Sequence, residues 1–94
     1  MEYNTRRTLE SYQYVIDLIK KAGHNLIGVC QMMMEDTFIF ETKEEADKAY
    51  EELELEPKDK EIKVSGFWYS KDEIDDAISS YEKNYNYTPK IYWL

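Results

Sequence analysis

From Leu26 to Met34 the chain runs without a single charged residue, although 34% of the whole sequence is charged. After the acidic pair Glu35-Asp36 a second apolar segment follows at Thr37–Glu41, through Phe38, Ile39 and Phe40. Read as a strand, the first segment turns Leu26, Gly28, Cys30, Met32 and Met34 one way and Ile27, Val29, Gln31 and Met33 the other. Both faces are apolar, which fits a central strand covered on both sides, or one with an open binding face. Glu35-Asp36 is the predicted two-residue turn, and strands so close in sequence must pair antiparallel.

Helical signals surround this hairpin. Leu9, Tyr12, Ile16 and Ile19 recur at three- and four-residue spacing, with Val15 and Leu18 widening the stripe, and predict a helix from Asn4 or Thr5 to Ala22. Lys20 and Lys21 suit the negative end of its dipole, and Gly23 supplies a left-handed stop. Thr42-Lys43-Glu44-Glu45 reads as a capping box opening a second helix, with Ala46, Ala49, Tyr50 and Leu53 on its buried stripe and Pro57 forbidding continuation. A third strand is expected over Glu61–Tyr69, with Ile62, Val64, Gly66 and Trp68 opposite Lys63, Ser65, Phe67 and Tyr69. Ser70-Lys71-Asp72-Glu73 is a second capping box, and Ile74, Ala77, Ile78, Tyr81 and Tyr85 mark the helix behind it. Thr88-Pro89 stops that helix, and Lys90–Leu94 is the last expected strand.

The resulting order, αββαβαβ, predicts an α+β fold: one domain over residues 1–94, with an antiparallel sheet of about four strands packed with three helices. The central β-β-α-β part resembles a portion of the ferredoxin-like fold in element order, though the leading helix and the trailing α-β unit depart from it. The length and the hydrophobic share of 43% suit one self-sufficient core.

The composition narrows function by exclusion. Twenty acidic residues against twelve basic give a net charge of −8. That argues against direct nucleic-acid binding, which depends on Lys and Arg at phosphates, and against anionic membranes; a basic protein partner is the complement. The single Cys30 permits no internal disulfide, the opening Met1–Glu10 lacks the apolar core of a signal peptide, and no apolar run approaches membrane-spanning length. A cytoplasmic location is expected.

No catalytic or metal-binding motif emerges. His24, the only histidine, follows a helix stop and has no carboxylate at ligand spacing. Cys30, in mid-strand among apolar neighbours, reads as a buried and inert thiol. Gly23, Gly28 and Gly66 stand apart and form no phosphate loop; Gly66 instead marks a bulge or close packing. No catalytic residue, metal or cofactor is expected, and the chain is read as no enzyme.

Two unusual surfaces remain. Glu41–Glu56 holds eight carboxylates, including Glu41, Glu44, Glu45, Glu51 and Glu52, against Lys43 and Lys48, a local −6. Asp72, Glu73, Asp75 and Asp76 crowd the start of the third helix, where carboxylates also favour the positive end of the dipole. Both read first as solvated helix surface and second as faces for a basic partner, spaced carboxylates imitating phosphates. The other surface is aromatic: Phe67 and Tyr69 share a face of the third strand, Tyr92 can join it from the last, and Trp68 and Trp93 then sit with the helices; this face reads first as one covered by a third helix or a dimer partner, and second as a protein or ligand surface. Met32, Met33 and Met34 add adaptable thioethers.

The leading expectation is a small acidic binding protein without catalysis, acting on a basic, nucleic-acid-binding surface of another protein by charge mimicry. It is similar in kind to phage and mobile-element accessory proteins that inhibit host defence enzymes, a likeness of composition and not of any motif. The alternatives are a binder of a planar, nucleotide-like ligand, using the aromatic surface with Arg6, Arg7, Lys20 or Lys21, and a homo-oligomerisation module built on the doubly apolar first strand.

Overall fold

Tyr12, Ile16 and Ile19 are buried, as their spacing requires, on a helix α1 spanning Gln13–Lys21 that is led in by a 3-10 turn at Glu10–Tyr12. The computed structural model describes residues 8–57 and 63–94. The predicted helix start at Asn4 or Thr5, the Arg6-Arg7 pair and strand residues Glu61 and Ile62 lie outside the described residues. Leu9, expected on the stripe, is largely exposed. At the other end Gly23 takes φ +95°, and its N–H and that of His24 donate to the carbonyls of Lys20 and Ile19. This is a Schellman stop, in a left-handed conformation that a side chain would oppose.

The remaining elements follow the expected order: β1 (Leu26–Met32), β2 (Glu35–Phe40), α2 (Lys43–Tyr50), β3 (Phe67–Ser70), α3 (Lys71–Tyr85) and β4 (Tyr92–Trp93). The fold is α+β. Among the described residues the sheet has four strands in the order β3-β2-β1-β4, which puts the doubly apolar β1 inside it. β1 is antiparallel to β2 and β4, but β2 and β3 run parallel, so the sheet is mixed where an antiparallel one was expected. The reason is the connection: α2 carries the chain back along the sheet, and β3 re-enters at the end where β2 began.

Two local corrections concern the hairpin. Met34 is not in the strand and Glu35-Asp36 is not the turn; Met32 pairs with Glu35, leaving Met33 and Met34 as the two-residue loop with φ of 50° and 65°. A bulge between Leu26 and Gly28 then shifts the alternation, so Leu26 shares the face of Val29 and Ile27 that of Cys30 and Met32.

Helices cover both faces. α1 and α2 pack Tyr12, Ile16, Ile19, Ala46, Ala49 and Leu53 against Leu26, Val29, Phe38 and Phe40. α3 packs Ile74, with Ala77, Ile78 and Tyr81 at its margins, against Cys30, Met32 and Ile39. The second helix ends in a π-helical turn, Glu51–Leu55, closed by the Glu56 N–H on the Glu51 carbonyl at 2.8 Å. The third strand is shorter than predicted, since residues 63–66 run into it without pairing. Among the described residues no helix is long and apolar enough to cross a membrane.

Candidate functional site

The parallel register matters most for the acidic residues. Phe40 pairs with Ser70, so the last residues of β2 and β3 lie side by side, and each strand leads at once into a helix start. α2 departs over one face of the sheet and α3 over the other. The Thr42 Oγ1 accepts from the Glu45 N–H at 3.2 Å. At Ser70 the capping box is complete: its Oγ accepts from the Glu73 N–H at 3.2 Å, and the Glu73 carboxylate accepts from the Ser70 N–H at 3.0 Å. These bonds hold the Glu73 carboxyl below its usual range, the Ser70 backbone bond contributing most and the nearby Lys43 ammonium adding to it.

The register thus puts the start of α2, with Glu41, Glu44 and Glu45, and the start of α3, with Asp72, Glu73, Asp75 and Asp76, at one end of the sheet, seven carboxylates with only Lys43 and Lys71 interspersed in sequence. Glu41, Glu44, Asp72, Asp75 and Asp76 are exposed and Glu45 and Glu73 half-buried. Glu73 bonds back to its cap, whereas the Glu45 carboxylate does not return to Thr42, so the capping box predicted there is only half made, and its Oε2 is buried without a hydrogen-bond partner among the described residues. Lys43 is drawn to Asp47 at 3.6 Å, one helical turn on. Glu51 and Glu52 are not part of this group. They lie at the far end of α2, roughly 10 Å away at 1.5 Å per residue, and Glu52 faces the buried His24 side chain, Oε1 to Nε2 at 3.4 Å.

Glu54, one of the eight carboxylates in the acidic run, has turned inward. Its Oε1 accepts from Trp68 Nε1–H at 2.7 Å and from the Gly66 N–H at 3.1 Å, tying the π-helical turn to the entry of β3. Gly66 is close packing: a Cβ there would lie 2.2 Å from the Asp36 carbonyl oxygen.

The aromatic residues separate by face. Phe67 and Tyr69 do share one, with centroids 6.1 Å apart, and the third helix, α3, packs over it as its first reading had it. Trp68 lies on the other, against Phe38 at 4.6 Å and Phe40 at 6.0 Å. Tyr92 does not join Phe67 and Tyr69. It pairs with Val29, so it points to the α1 side, 6.2 Å from Tyr12. Trp93 takes the α3 face instead, its ring over Gly28, and stays 53% exposed. The expected aromatic surface is therefore two half-covered clusters on opposite faces.

Another one forms where β1, β2 and α3 meet. The Met33 N–H donates to Tyr81 Oη at 3.4 Å, and the Tyr81 ring lies 4.8 Å from Tyr85 and 6.1 Å from Tyr87. Met33, Met34 and Tyr85 are 54%, 72% and 55% exposed. The sequence pattern placed Tyr81 and Tyr85 on the buried stripe; α3 outruns the short strands it covers, so its last turn emerges from the sheet.

Among the described residues no group of three or more His, Cys, Asp or Glu side chains could hold a metal ion. Cys30 is fully buried, and burial pushes its thiol up to about 11, only partly offset by the Thr37 hydroxyl. At neutral pH it is a protonated core residue, a poor nucleophile. Comparison of the chain with protein-family models, curated proteins and solved structures gives no match, and the functional reading rests on these residues.

Proposed function

We propose that the protein is a non-enzymatic binding module, working in the cytoplasm, whose acidic sheet end engages a basic surface of another protein. The observation that supports this most directly is the Phe40–Ser70 pairing, which sets two acidic helix starts beside one another on adjacent strands. Carboxylates dispersed around a domain are ordinary solvated surface; gathered at one end they raise the local potential and steer a cationic partner. A nucleic-acid-binding groove on a defence protein is the narrower form of the proposal, since spaced carboxylates present it with the charge pattern of a phosphate backbone. The ligand-binding alternative has less support, because Phe67 and Tyr69 lie beneath α3 and Tyr92 is on the opposite face.

The exposed members alone make the clean test, because Glu73 bonds within its cap, Glu52 faces His24 and the Glu45 carboxylate is partly buried. Affinity capture from extracts of the source cell identifies the partner, and calorimetry with the purified partner follows. Changing Glu41, Glu44, Asp72, Asp75 and Asp76 to their amides should weaken binding by about tenfold or more, and wild-type affinity should fall as salt rises. A partner whose affinity is indifferent to both defeats the proposal.

A further inference from the structure

The surface formed by Met33, Met34, Tyr81, Tyr85 and Tyr87 lies at the other end of the sheet from the first turns of α2 and α3: Asp72, in the first turn of α3, and Tyr85, in its last, are about 20 Å apart at 1.5 Å per residue. Its hairpin loop is unusual. Both central residues have positive φ, the pattern that two-residue hairpins need and that Asn-Gly satisfies without strain. Methionine in that conformation is strained, and neither side chain repays the strain by packing inside, since both are more than half exposed. The tip is also held: the bond from the Met33 N–H to Tyr81 Oη docks the loop on α3, and the rings of Tyr85 and Tyr87 extend the same surface. Two adaptable thioethers beside three amphipathic rings, already positioned, form a contact surface that requires little ordering on binding.

Charge selects the occupant. Exposed Glu35 follows Met34 directly, and exposed Glu82 follows Tyr81 on the same side of α3 as Tyr85. A second copy of this chain docked through the same surface would bring a second set of these acids to one interface, and the net charge of −8 on each copy opposes it further. Resting on the reading of a basic partner, we propose that this thioether and tyrosine surface takes the apolar face of a cationic amphipathic segment of that partner. Its Lys or Arg residues then meet Glu35 and Glu82.

The probe is a synthetic helical Leu/Lys peptide of about fourteen residues, enough for four turns, compared with a Ser/Lys peptide of equal charge. With methionine methyls labelled, titration of the full chain should shift Met33 and Met34 and leave buried Met32 in place. Met33→Asn combined with Met34→Gly suits the turn, so the fold is retained; it should weaken the Leu/Lys peptide by about tenfold, and Tyr85→Ser should weaken it too. A variant with amides at Glu41, Glu44 and Asp72 only, whose α3 member lies about 13 Å from Tyr81 at 1.5 Å per residue, should bind this peptide as the wild type does in 0.15 M salt, where the screening length is about 8 Å. Failure of the acidic-end proposal and failure of this one are therefore separable. Equal binding of the Ser/Lys peptide, unshifted Met33 and Met34, or a dimer in sedimentation that the double variant dissolves would each overturn the inference.

Discussion

At the scale of single residues, the position of the hairpin turn shows what a pattern of alternating residues can and cannot decide. A turn at Glu35-Asp36 would set Met33 opposite Phe38; the actual turn sets Val29 there. Met33 and Val29 have the same parity in the strand, so both registers bury the same faces, and hydrophobic alternation penalises only odd slips. No Gly or Asn at positions 33 and 34 advertised the loop either. The register that wins pairs β2 with the whole of β1, reaching Leu26 opposite Phe40, instead of leaving the first half of β1 unpaired. It does so by forcing Met34 to φ 65°. Relieving that strain should show directly: Met34→Gly is expected to raise stability by about 1 kcal/mol in urea denaturation, the left-handed penalty for a residue with a Cβ. A loss of stability would mean that the loop does not hold this conformation in solution.

At the scale of elements, the helices were legible because their signals are local. Both N-cap hydroxyls, at Thr42 and Ser70, stand where their spacing put them, though the carboxylate returns to the cap only at Ser70, and Gly23 stops α1. The strands were harder because their limits depend on neighbours. β3 begins only at Phe67, after Gly66 has slipped against the Asp36 carbonyl with its N–H on Glu54, a long-range contact that no local window contains. The face taken by Tyr92 likewise follows from its pairing with Val29 and not from its own surroundings. The helix starts make the pH prediction. Glu73 has a folded-state pKa below the ordinary glutamate value of 4.5, through its bonds to Ser70 and the Lys43 charge. A depressed carboxyl pKa stabilises the fold above the unfolded value and loses that contribution as pH falls through the folded value. Glu73→Gln should therefore cost about 0.5 kcal/mol at pH 7, the scale of a charge at a helix start, and the gap from wild type should close below pH 4.5. Denaturation curves at several pH values measure it; a gap that stays constant would assign the effect to hydrogen bonding without charge.

At the scale of the whole molecule, the total charge was plain in the sequence while its arrangement was not. The stretch Glu41–Glu56 looks like one acidic face, yet the fold divides it: Glu41 and Glu44 join the α3 start, Glu52 faces His24 and Glu54 bonds inward. What brings the remaining acids together is the parallel pairing of β2 with β3, a relation between segments 30 residues apart at Phe40 and Ser70. Such a cluster has an energetic signature that ordinary capping lacks. Asp75 and Asp76 are exposed and lie beyond the first turn of α3, where the helix dipole no longer favours them. If their main role were stability, removing their charge would weaken the fold. In a cluster kept for binding, the same change removes repulsion and strengthens it. Asp75→Asn with Asp76→Asn is expected to raise stability by about 0.5 kcal/mol at low ionic strength, within the ordinary range for surface changes. Near 1 M salt the Debye length falls to about 3 Å, and the gain should vanish. Thermal or urea unfolding of both proteins across that salt range decides it: a variant less stable than wild type at low salt would make the acidic end a structural feature, and the proposed binding role would lose its footing.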